Sequence, residues 1–208
     1  MNFATMAVVM CALAAALGTA AAQDRMPPIP ADKMTAAQKK AAEELVADPR
    51  RALAGPFVPL LRSPEFMSRL QKMGEQLRFE SSIGPKLTEF TILLTARQWS
   101  QQYEWDVHQP LALKAGLSPE ISAAVAEGRR PEGMDEGESI IHDFFVELHQ
   151  NQSVSDATYA RAVGRFGEQG VVELAGVIGY YTMLAMIMNV ARTPLPEGKT
   201  PQLLPFPR

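Results

Sequence analysis

A single cysteine, Cys11, is all that this chain of 208 residues contains, and it lies inside an apolar N-terminal run. One thiol cannot close a disulfide within the chain, so neither a disulfide framework nor a redox-active cysteine pair is available. A surplus of basic charge is also missing. Twenty Lys and Arg residues are scattered among 23 Asp and Glu, for a formal net charge of −3. With no basic stripe, nucleic acid is not an expected partner. No alternating strand pattern of any length occurs, which leaves an all-α reading. Past the N-terminus, no apolar run continues unbroken for the ~20 residues of a bilayer span, so the mature chain is expected to have no stable span. What remains is enough for one globular domain with a sizeable core.

Residues 6–17 form an apolar run of signal-peptide length, followed by small residues up to Ala20-x-Ala22. That is a cleavage pattern, and it makes Gln23 the expected mature N-terminus and the periplasm or exterior the expected address. No Lys or Arg lies near Met1, so an uncleaved anchor is the competing reading. Cleavage would remove Cys11 and leave a thiol-free protein.

Four stretches follow from the patterning: a signal peptide at 1–22, an N-terminal extension with one helix at 23–62, a main domain at 63–196 and a Pro-rich tail at 197–208. In the extension, Thr35 with Gln38 reads as a capping box, Asp48-Pro49 stops the helix, and 50–63 reads as a loop packed over the domain. In the main domain, Ser63-Pro64 and Ser118-Pro119 are cap-then-proline starts. Helices are predicted from there to Phe79, over 87–100, over 101–115 with Pro110 inside and Gly116 as the stop, from Ser118 to Gly128, over 138–150, from Ser155 or Asp156 to about Gly167, and over 170–190. The last is apolar almost all round, which predicts burial in a core or between subunits.

The chemistry concentrates in 89–116. Glu104 and His108 are four apart, so a helix stacks them on one face. A carboxylate raises an imidazole's pKa and burial lowers it, which can poise the pair near neutrality for acid–base work. An ordinary surface pair has the same spacing. Glu89 is a second candidate for relaying protons, Tyr103 for donating to a substrate oxygen, Arg97 for pairing a substrate carboxylate and Trp105 for walling a pocket. Arg97 also suits a salt bridge to Glu89 or Glu104. His142 and His149 share a helix face, but no metal-motif spacing accompanies them, so they are expected to face solvent, with no metal or cofactor in the site.

Glu89-Phe-x-Ile-Leu-Leu-x-Ala-Arg97, then Tyr103-Glu104-Trp105-x-x-His108, then Ala115-Gly116-Leu117-Ser118, resembles the carboxymuconolactone decarboxylase family with its AhpD-like fold. A second block, Phe166-Gly167-x-x-Gly170-Val171-Val172-Glu173-Leu174 with Gly179-Tyr180-Tyr181 and Asn189, extends the resemblance over most of 60–196. The resemblance implies an all-α AhpD-like domain and a homo-oligomer, a trimer or a multiple of one. In the peroxidase branch of that family, two cysteines would stand at Gln101 and Glu104, so thiol peroxidase activity is not expected. In the decarboxylase branch, Glu104 and His108 match Glu-x-x-x-His, with Tyr103 where that branch usually has histidine. The resemblance therefore implies a cofactor-free lyase or isomerase acting on a small carboxylated lactone or ring compound. His108 would be the general acid/base, Glu104 its partner and Glu89 a relay. The competing class is a non-catalytic secreted helical oligomer that binds a small molecule or a protein.

Overall fold

A computed structural model describes residues 23–204; the expected signal peptide and Cys11 lie outside them. The described chain is all-helical. A 3-10 turn at Ala31–Lys33 precedes α1 (Ala36–Val46), α2 (Phe57–Leu60), α3 (Pro64–Phe79), α4 (Pro85–Gln98), α5 (Gln102–Lys114), α6 (Pro119–Ala126), α7 (Glu136–Asn151) and α8 (Asp156–Ala191). Local chemistry sets most of the starts. Thr35 and Gln38 close a capping box, Ser118 accepts from the Ile121 amide and Ser155 from the Thr158 amide. Asp135 with Glu138 forms a second capping box, so α7 starts at Glu136, two residues ahead of the expected 138. Ser63 precedes Pro64 but makes no capping hydrogen bond. The extension carries one helix more than expected, because 57–60 closes a turn around Pro59.

α4 is the axis of the fold. It packs against α5, α7 and α8, and every residue from Leu87 through Ala96 is buried. A helix buried all round must satisfy its polar groups internally. Three of its four buried polar residues do so by back-bonding: Thr88, Thr91 and Thr95 donate to the Gly84, Leu87 and Thr91 carbonyls at 2.8–2.9 Å. This i to i−4 pattern closes threonine hydroxyls on their own helix. The fourth, Glu89, has no such local solution.

Two apolar clusters flank this axis. One gathers Phe90, Leu93, Trp105, Ile141, Phe144, Leu174 and their neighbours. The other joins Leu45 of α1, Met67 and Leu70 of α3, Ile92 of α4, and Val177, Tyr181 and Leu184 of α8. Gly167, at φ 70°, interrupts α8 and separates 156–166 from 168–191. The second part carries the predicted apolar stretch, yet the burial is one-sided: Tyr181 and Leu184 are enclosed while Val172 and Val190 are 72% and 58% exposed. By length and composition α8 is apolar enough to cross a membrane, but half of its most apolar stretch is buried against the rest of the chain.

After α8 the tail has no regular structure and is tied to α5. The Gln102 amide accepts from the Gln202 and Leu203 amides and donates to the Leu203 carbonyl, and the Leu203 side chain is buried.

Candidate active site

α4 and α5 are joined by a turn of only three residues, with Ser100 in the left-handed region at φ 45°. Gln101 caps α5 by accepting from the Tyr103 amide, and its own amide donates to Asn189 of α8 at 2.8 Å. Asn189 in turn donates to the Trp99 carbonyl. The turn is thereby pinned to α8, and α5 lies beside α4. Two faces of α5 then divide the work. Trp105 and Ala112, seven apart, enter the core. Tyr103, Glu104, Val107 and His108 line a cavity of about 210 Å³.

His108 is held by Glu89, whose Oε2 lies 2.7 Å from the ring Nδ1. The other oxygen of Glu89, Oε1, is 3.6 Å from Arg78 Nε on α3. This differs from the expected Glu104–His108 couple. Residues four apart on α5 both point into the cavity, whereas Glu89 reaches the imidazole from the neighbouring helix. Burial lowers the pKa of His108, and the Glu89 hydrogen bond and charge only partly offset it. A neutral ring donating through Nδ1–H to Glu89 leaves Nε2 as a proton acceptor. The edge of the ring also meets Tyr181 at a centroid distance of 5.2 Å.

Glu104 is in the opposite state. It is 3% exposed, its Oε2 has no hydrogen-bond partner, and burial raises its pKa well above the ordinary carboxyl value. An enclosed carboxyl with no cation bonded to it is held as the neutral acid. Burial thus favours the protonated carboxyl at Glu104 and the neutral ring at His108, one helical turn apart.

The remaining predicted residues separate cleanly. Tyr103 lines the cavity, half-buried, and burial followed by the nearby Asp106 charge raises its pKa. Arg97 is not among the lining residues: it donates to Ser100 Oγ and the Leu204 carbonyl and borders a different hollow beside His142. Nor does Trp105 wall the cavity; it is 1% exposed in the core, its indole N–H donating to Gln202. Trp105, three residues before His108 on α5, falls on the core face of that helix, and Arg97 lies on α4 beyond the turn. Of the two histidines expected to face solvent, His142 does not, and His149 is only partly exposed. His142 is buried and takes a hydrogen bond from Arg130, and His149 stacks on Phe145 and bonds its carbonyl. Among the described residues no group of three or more His, Cys, Asp or Glu is placed to hold a metal ion.

Five polar or aromatic-hydroxyl lining residues escaped the reading of the sequence as site residues: Arg50, Arg51, Arg78, Tyr180 and Tyr181. Paired tyrosines at 180–181 in an otherwise apolar helix were a usable signal, since burying two phenols needs a reason. Burial raises the Tyr180 hydroxyl to about 12 and lifts Tyr181 well above the ordinary phenol value. The arginines gave no signal, because nothing local sets Arg50 or Arg51 apart from any surface pair. Compared with known proteins, the chain matches no family model and no curated sequence.

Proposed function

We propose that this chain is a carboxymuconolactone decarboxylase-like protein with an AhpD-like domain, a cofactor-free lyase or isomerase for a small carboxylated lactone or ring compound. The observation that carries the reading is the pairing of an enclosed neutral carboxyl, Glu104, with a neutral imidazole, His108, in one cavity. In a decarboxylation, the electrons of the C–CO₂⁻ bond move into a neighbouring carbonyl as carbon dioxide leaves, and the resulting carbanion equivalent takes a proton at carbon. Glu104 is the acid suited to deliver it. In an isomerisation, Nε2 of His108 removes a proton alpha to the carbonyl and Glu104 returns one elsewhere on the same framework. Either route uses two groups whose environments push their protonation apart. Glu89 is a positioning residue, fixing the tautomer through Nδ1. A secreted or periplasmic address and assembly into a homo-oligomer belong to the same proposal.

A screen of carboxylated lactones followed by variants tests it. His108→Gln and Glu104→Gln are each expected to fold and to lose roughly 10²–10⁴-fold in turnover, the usual contribution of a general acid or base. Glu89→Gln should move the acidic limb of the pH–rate profile to lower pH, because loss of the carboxylate lowers the imidazole pKa and the base stays neutral further down. Folded His108→Gln with full turnover would end the catalytic reading.

A further inference from the structure

We infer that the segment 48–57, ahead of the main helices, is one wall of this site and that Arg51 is its specificity-determining residue, recognising the carboxylate of a one-ring acid. The inference rests on the cavity being the reaction site. The segment contributes Arg50, Arg51, Ala54 and Phe57 to the lining. It is seated by Gly55, at φ +54°, directly against the Tyr103 ring: a Cβ at that position would lie 2.3 Å from Tyr103 Cε1. Only glycine tolerates both that conformation and that approach.

The two arginines are not equivalent. Arg50 is half exposed and spent on Asp48, taking both carboxylate oxygens at 2.8–3.1 Å, with its guanidinium 4.0 Å above the Phe79 ring. The Arg51 side chain is 7% exposed. Its Nη1 donates to the Gln71 carbonyl at 3.0 Å, and its Nε stands 3.6 Å from Asp48 Oδ2, an oxygen already engaged by Arg50. Its remaining N–H groups make no hydrogen bond among the described residues and are not sealed off, so they are open to a further acceptor. A carboxylate is the acceptor its planar fork matches. Phe57, Phe79 and Leu184 supply the apolar surround for a ring, and the burial that raises the pKa of Glu104 favours its uncharged form, which does not repel the anion.

Benzoate and its neutral analogue benzamide separate this from the chemistry, since neither carries a lactone and binding is measured without turnover. Calorimetric titration of the whole protein is expected to show benzoate binding preferred over benzamide. Arg51→Gln should weaken benzoate by roughly 10–100-fold, the range for a hydrogen bond to a charged group, and leave benzamide binding by the folded variant unchanged. Arg51→Lys keeps the charge without the fork and should fall between. Should Arg51→Gln fail to fold, Arg51→Lys decides alone by a selective loss for benzoate. Wild-type protein that binds neither compound at millimolar concentration overturns the inference. So do variants that bind benzoate as wild type does, or that lose both ligands equally. Loss of turnover in His108→Gln is independent of all these outcomes.

Discussion

Glu104 must be an acid, not a carboxylate, for its place in the cavity to be tolerable, and that requirement is measurable without any substrate. Its pKa is raised in the folded protein above the ordinary 4.5. The proton is therefore bound more tightly by the native state, and its stabilising effect is complete below pH 4.5 and lost as pH rises through the folded pKa. Glu104→Gln, an isostere of the protonated form, is expected to melt with wild type in acid and above it at progressively higher pH. A constant difference across pH would show that Glu104 is ionised in the fold. His108 works in the other direction. Its depressed pKa means that stability is present above 6.5 and is lost as pH falls through the folded value. Both residues are neutral between the lowered folded pKa of His108 and the raised folded pKa of Glu104, which is where donor and acceptor coexist.

Among the elements, the hairpin-like turn before α4 depends on one side chain from α8. Glu173 Oε2 accepts from Ser81 Oγ, Ser82 Oγ and the Ser82 amide at 2.7–3.1 Å, while Oε1 takes the Gln169 amide. Burial alone would raise its pKa, but these donors outweigh it and hold the carboxyl at about 2. A depressed carboxyl contributes stability above its unfolded value, lost as pH falls toward 2. Glu173→Gln is expected to cost about 1 kcal/mol at neutral pH once partial exposure is allowed for, or roughly 2–4 °C in melting temperature for a chain of this size. The deficit should shrink to nothing in strong acid; one that persists there would mean the carboxylate is not the tie. Elements of this kind divide what was readable from what was not. Thr35–Gln38, Ser118–Pro119 and Ser155 announce helix starts because capping is local, within three or four residues. The Glu89–His108 bond and the gathering of Arg50, Arg51 and Arg78 link residues on different elements, and no short-range pattern encodes such meetings. Glu104 was found by its spacing, but its role as a free acid follows from enclosure, which spacing does not report.

For the whole molecule, one face of α8 stays uncovered. Val172, Ala175, Gly179, Met186 and Val190 fall along it and are exposed, while the opposite face closes the cavity with Tyr181, Leu184 and Met188. A homo-oligomer is expected from the family resemblance and from this apolar strip together. Light scattering at micromolar concentration should give a multiple of the protomer mass, and Met186→Glu should lower it; a monomer for the wild-type chain would set assembly aside. The cavity wall at 50–57 carries a different consequence, one of inheritance. Glu89, Glu104 and His108, proposed to handle protons, sit buried on α4 and α5, where most replacements disturb the core. The wall sits on a short stretch at the edge of the second apolar cluster, held by Leu53 and Phe57, by the Arg51–Gln71 bond and where Gly55 meets Tyr103. A lineage can therefore rewrite what the pocket admits by altering one loop while the buried acid and base pass unchanged between descendants.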